Sequence, residues 1–179
     1  MIRTLTSTKS KIVIRMAIEV KELEALTIFG DEFINFSTKA NELTPTTYAN
    51  ISKEKIEERN LGLDLPILLN ITPSMVTTSD AGAGIGYTGM RIRGSDATRI
   101  NVTLNGIPIN DSESHGVYWV NMPDLSSSID EIQIQRGVGT SSNGAAAFGA
   151  TVNLKSSSFS KEAFTEINQT IGSFNTLKT

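Results

Sequence analysis

The sequence predicts an α+β domain: a strand, a short helical region, and then several strands joined by long polar loops. Two observations carry this. Helix-forming residues with capping signals are confined to Ser52–Asn70, and after Pro73 the apolar residues recur at every second position. A third fits with them: eleven of the 14 glycines lie between residues 82 and 149, so the second half is rich in loops.

Ser52 is a good N-cap, Glu54 sits near the positive end of a helix, and Lys53 to Arg59 are good helix formers. A second short helix follows. Asp64 is placed to cap it, Pro66 falls in its first turn, and Leu65, Leu68 and Leu69 form an apolar stripe that Thr72-Pro73 ends. Met90–Arg93, Ile100–Leu104 and Ile129–Gln135 then alternate as half-buried strands, and Thr151–Lys155 makes another. Asn105-Gly106 supplies the two positive-φ residues of a type I′ hairpin turn between strand-forming flanks.

At 179 residues the chain holds one domain and a short extension. With 16 basic and 19 acidic residues and no basic cluster, nucleic acid is not an expected partner. There is no cysteine, which excludes disulfides, thiol catalysis and thiolate metal sites. The longest aliphatic runs are triplets such as Ile12-Val13-Ile14, far short of the roughly 20 apolar residues that a membrane helix needs. Arg15 interrupts the apolar stretch that would make an export signal, so residues 1–30 read as an extension or linker.

Signals for catalysis are weak. Gly84-Ile85-Gly86-Tyr87-Thr88-Gly89 spells a dinucleotide fingerprint, but a strand pattern follows it where a helix is required. Gly137-Val138-Gly139 has no Lys-Ser/Thr pair after it. His115 is the single histidine, too few for a usual metal set and more simply a hydrogen-bonding loop residue. Neither an enzyme, a metal nor a cofactor is expected. The stretches 77–89 and 110–120 are longer than loops without a task, and they mix hydrogen-bonding groups with amphipathic aromatics: either ligand loops or solvated turns.

Four ordered segments carry a resemblance: Met90-Arg-Ile-Arg-Gly94, Val102-Thr-Leu-Asn-Gly-Ile-Pro-Ile109, Ile129-Asp-Glu-Ile-Gln-Ile-Gln-Arg-Gly137 and Phe148-Gly-Ala-Thr-Val-Asn-Leu154. Together they resemble the plug domain of TonB-dependent outer-membrane receptors. The loop at Asn110–Ser114 is similar to that of the Bacteroidetes-type branch. The resemblance implies a small mixed β-sheet with short helices, lodged inside a barrel of about 22 strands.

It divides the chain into the plug at 31–158 and the start of a first barrel strand at 159–179, the barrel itself being absent. It implies outer-membrane uptake of a ferric siderophore, haem, cobalamin or a glycan, with TonB and the chain's own barrel as partners. The ligand-side loops would present Ser79, Asp80, Tyr87, Ser95, Asp96, Asp111, Glu113, His115, Tyr118 and Trp119. Arg93 and Arg136 would pair with acidic residues of the barrel wall, or else be solvated strand ends. Asp31, Glu32, Phe33 and Ile34 lie where a TonB-contacting box is expected, without its usual Val and Ala positions. The chain as written reads as a receptor fragment, outer-membrane when whole and soluble alone. The alternative is a free-standing soluble binding module of the same fold.

Overall fold

The computed structural model describes residues 39–139, 143–144, 146–158, 163, 165, 167, 169–173, 175 and 177–178. The expected TonB-contact residues 31–34 therefore lie outside the described residues, as does the extension 1–30.

Strand β1 (Thr47–Ser52) runs into helix α1 (Lys53–Arg59), and helix α2 (Leu65–Leu68) continues as a 3-10 turn to Ile71. The hairpin β2 (Met75–Ser79) and β3 (Thr88–Ile92) follows, then β4 (Ile100–Leu104), β5 (Ile107–Pro108), β6 (Ile129–Arg136) and β7 (Ala150–Ser156). Five strands form one sheet in the order β1-β6-β7-β4-β5. β4 and β7 are parallel and the remaining pairs antiparallel, so the sheet is mixed, as expected. Two short strands, β8 (Thr170–Ile171) and β9 (Leu177–Lys178), pair with each other.

The apolar face follows from strand alternation. Ile132 and Ile134 of β6, Val152 and Leu154 of β7, and Ile100 and Val102 of β4 are fully buried and pack with Ile56, Leu65, Leu69, Met90 and Trp119 in one cluster. A β-bulge between Ile129 and Glu131 inserts one residue into β6. Ile129 thereby joins the apolar cluster, where unbroken alternation would have put it beside Glu131. Asp130, at the bulge, forms an ion pair with Lys53 at 3.2 Å and accepts from Ser157 Oγ at 2.9 Å.

The opposite face corrects the expectation of half-buried strands. Asn101, Thr103, Gln133 and Gln135 are 0%, 1%, 2% and 1% exposed. Residues 39–40 cross this face: the Ala40 backbone N–H donates to Gln133 Oε1 at 2.6 Å, and Gln133 Nε2 returns a bond to Ala40 O at 2.9 Å. Gln135 Nε2 donates to Gln133 Oε1 at 2.9 Å, and Asn143 Nδ2 donates to Gln135 Oε1 at 2.8 Å. The burial of Gln133 is tolerated because both ends of its amide are paired.

Two cap expectations are also revised. Ser52 and Asp64 hold the N-cap positions, but neither side chain caps its helix. The Ser52 hydroxyl bonds Glu54 instead, which with the local backbone amide holds that carboxyl below its usual range. Asp64 accepts from the Gly86 N–H at 3.0 Å and from Thr88 Oγ1 at 2.9 Å, so it ties α2 to the β2–β3 loop. Asn105 (φ 51°) and Gly106 (φ 80°) form the expected primed turn. Asn105 also bonds Ser156 through both ends of its amide.

Because Ile134 is fully buried at the centre of the sheet, Ile134→Ala is expected to lower unfolding free energy by about 2–5 kcal/mol in urea titration. A loss below about 1 kcal/mol would show that this strand does not organise the core.

Candidate functional site

β4, β6 and β7 share one end, where Ile100, Arg136 and Ala150 lie in register. The connections at this end are held by three devices. The first is Asn110, whose side chain acts as a piece of strand: its Oδ1 accepts from the Val102 N–H at 2.8 Å and its Nδ2 donates to Ile100 O at 2.9 Å. That amide continues the edge of β4 after β5 has ended, and it also donates to His115 O at 2.9 Å.

The second device is Asp111. Its Oδ1 accepts from the backbone N–H groups of Ser114 (2.7 Å) and Glu113 (3.1 Å) and from Ser114 Oγ (2.9 Å). Those bonds, led by the Ser114 amide, hold the Asp111 carboxyl below the usual carboxylate range. Its backbone N–H closes the loop onto Gly116 O at 2.8 Å. Glu113 and His115 are left exposed, His115 with a left-handed φ of 58°.

The third is a tight turn that sequence reasoning missed. Ile92 and Ser95 exchange both backbone hydrogen bonds around Arg93 (φ 51°) and Gly94 (φ 76°), so the reversal lies at Arg93-Gly94. The only cue in the sequence is an X-Gly dipeptide. Asp96 then caps the turn 97–99 through the Thr98 N–H at 3.1 Å and faces Arg91 at 3.8 Å. The Thr98 amide leads the contacts that lower the Asp96 carboxyl. Gly149 packs so closely that an added Cβ would collide with the Ser95 side chain and stand 3.1 Å from Arg99 O.

Between β3, residues 97–98 and residues 114–119 lies a cleft of about 190 Å³, lined by Thr88, Thr98, Ser114, Val117, Tyr118 and Trp119. Tyr118 is half exposed at its rim, whereas Trp119 is 4% exposed and belongs to the core beneath it. The structure thus brings Ser114–Trp119 to the segment that follows Tyr87 and to the turn that follows Asp96. The expected 77–89 loop is shorter: Thr77–Ser79 and Thr88–Gly89 are strand, leaving 80–87. Ser79 Oγ accepts from the Gly84 N–H at 3.1 Å and shapes that loop, while Asp80 and Tyr87 are exposed. A groove of about 660 Å³ beside α1 and residues 61–71 contains none of the expected site residues.

Arg93 and Arg136 converge. Arg136 Nη1 lies 3.4 Å from Pro73 O, the Arg93 N–H donates to Ser74 O at 2.8 Å, and Arg93 Nη1 stands 3.3 Å from where a Cβ on Gly137 would be. Neither guanidinium forms an ion pair among the described residues, and Arg136 Nε is buried without a hydrogen-bond partner.

Among the described residues no group of three or more His, Asp or Glu side chains is placed to hold a metal, and no helix is long and apolar enough to cross a membrane.

The family model of the TonB-dependent receptor plug domain matches residues 40–151. The siderophore receptor PiuA from Acinetobacter baumannii is similar in fold, with TM-score 0.51 and 22% identity over 72% of this chain and 17% of the receptor. FpvA from P. aeruginosa, solved with heterologous pyoverdines, gives TM-score 0.51 and 18% identity over 65% of this chain and 14% of its own. FpvAI in complex with pyocin S2 gives 0.50 and 18% over 64% and 15%. The chain therefore spans less than a fifth of each of these receptors. No curated protein sequence matches it.

Two outcomes follow from the loop geometry. Gly149→Ala should destabilise the domain by about 1–3 kcal/mol, because the strand end must move off Ser95. Equal stability of the variant and the parent would show that the contact yields freely. The Asp111 carboxyl is lowered in the folded state, so the order it gives the loop is complete above its unfolded value of about 3.9 and is lost as pH falls through the lower folded value. In an NMR titration the midpoint of the Ser114 amide shift should lie below the ordinary carboxylate value. A transition centred above the ordinary carboxylate value would contradict this.

Proposed function

The chain belongs to the TonB-dependent receptor plug domain family, and on that premise we propose that it is the gate of an outer-membrane receptor that takes up a ferric siderophore or a similar large nutrient. In this reading residues 1–179 are a piece of a longer receptor that includes the barrel, and they perform no catalysis. Haem, cobalamin and glycans are the other nutrients the reading admits.

One observation supports the gate reading: at one end of the sheet, Arg93 and Arg136 form no ion pair among the described residues. A non-glycine residue at φ 51° is uncommon and is kept only where the surroundings demand it. A barrel wall bearing carboxylates would supply the missing anions, in bidentate contacts that fix the plug and can be broken to release it. Residues 159–179 would begin that barrel, and 31–34 would meet TonB.

The cleft of about 190 Å³ is smaller than the roughly 300–1,000 Å³ that usually encloses a ligand. The loops bearing Asp80, Tyr87, Ser95, Asp96, Asp111, Glu113, His115 and Tyr118 would therefore offer one side of a site that barrel loops complete. Ser79 and Trp119 would support those loops from below.

The decisive experiment is to extend the source DNA beyond both ends of the reading frame and express the whole protein. Barrel strands downstream and an export signal upstream are expected, with iron-limited growth on ferric siderophores lost when residues 40–158 are deleted or when both arginines are changed to Glu. A stop codon after Thr179 with no export signal upstream would overturn transport and favour a free-standing binding module. Growth unaffected by either change would overturn the gate.

A further inference from the structure

On the polar face of the sheet three wholly enclosed atoms have no hydrogen-bond partner among the described residues: Asn101 Oδ1, Asn143 Oδ1 and Thr151 Oγ1. Their residues are 0%, 2% and 0% exposed. The three stand together. Asn101 and Thr151 are neighbours across the parallel β4–β7 pair, so both side chains rise from the same face. Asn101 Nδ2 donates to Asn143 O. Asn143 Nδ2 reaches Gln135 Oε1, and Gln135 is itself the partner of Thr151 across β6–β7. A Cβ on Gly139 would collide with Asn143 Nδ2 and lie 3.3 Å from Thr151 Oγ1, which brings both groups to one spot.

The orientation of every amide in the row is determined from one end. The Ala40 backbone N–H can only donate, so the group it meets on Gln133 is Oε1, and Gln133 Nε2 must face Ala40 O. Gln135 Nε2 then donates to the same Gln133 Oε1, which turns Gln135 Oε1 toward Asn143 and makes Nδ2 the Asn143 atom that meets it. Asn101 likewise presents Nδ2 to a backbone carbonyl, which accepts only. What remains is two amide oxygens that need donors, beside a hydroxyl that has a proton to give.

We propose that these three atoms bind one internal water molecule, which donates a hydrogen to each of Asn101 Oδ1 and Asn143 Oδ1 and accepts the Thr151 hydroxyl proton. That set of three bonds is the number an internal water usually makes, and it leaves no buried polar atom of the cluster unpaired. A monovalent cation is the competing occupant. It fits less well, because the cluster contains no carboxylate and a hydroxyl turned to coordinate the ion through its oxygen would leave its own proton without an acceptor. The water completes a polar row that runs from Ala40, against the polar face of β6, to Asn143 in the connection between β6 and β7.

The test uses the full 179-residue chain. A high-resolution crystal structure should show a single peak at hydrogen-bond distance from all three atoms, and the Gly139 amide should show a cross-relaxation signal to long-lived water in solution. In Thr151→Val, which removes the proton donor at similar volume, both signals should be lost while the amide spectrum keeps the parental dispersion. Amides rotated to bond one another with no peak between them would overturn the proposal. So would a peak that gains anomalous signal after rubidium soaking. If the variant does not fold, the parental map and the water signal decide by themselves.

Discussion

Gln133 sits where the architecture has least freedom. It lies on the interior strand β6, is 2% exposed, and through its amide binds both polar groups of the Ala40 backbone and the side chain of Asn50 on β1. A buried amide left unpaired is strongly unfavourable, so the chain at 39–40 and the edge strand β1 must both be present for β6 to be buried on this side. The requirement passes along the row: Gln135 and Asn143 take their partners from the amide before them, which pins the β6–β7 connection onto the sheet. Hydrophobic burial on the other face supplies most of the stabilisation, but it is non-directional and does not select which segment covers the polar face.

The surface connections follow the same logic at smaller scale. Asn110, Asp111, Asp96 and Asp64 each direct their side-chain acceptors to backbone N–H groups, so loops that read as open are held by their own polar residues. The consequence is a division of labour within each loop. The residues that bond inward set the shape, and those left over, such as Asp80, Tyr87, Glu113, His115 and Tyr118, form the outward surface. Arg93 and Arg136 belong to the second kind, since the turn and the glycine beside them place their charges without neutralising them.

Much of this was legible in the amino-acid sequence, and it was legible where the determinant is local. Strands β4, β6 and β7 follow from alternation, the 105–106 turn from Asn-Gly, and α2 from Asp64, Pro66 and three leucines. The plug family could be read from four short segments in order, and the match over residues 40–151 agrees with it. The bounds of β1 and β2 were hidden. Thr47–Ser52 has one fully buried residue, Ile51, and in Met75–Ser79 burial alternates but the apolar Val76 falls on the exposed side beside three hydroxyl residues, so the sequence does not show the period.

Local propensity, turn chemistry and apolar period thus determined that the chain forms short helices and a sheet with one oily face, because those preferences act between residues a few positions apart. Only the tertiary structure decided that the polar face is buried as well, that Asp64 grips a distant loop instead of its own helix, that Trp119 turns inward, and that two arginines separated by 43 positions stand side by side. Each of these depends on a partner brought from far along the chain. A residue's local pattern states which bonds it needs, and the packed fold determines which group supplies them.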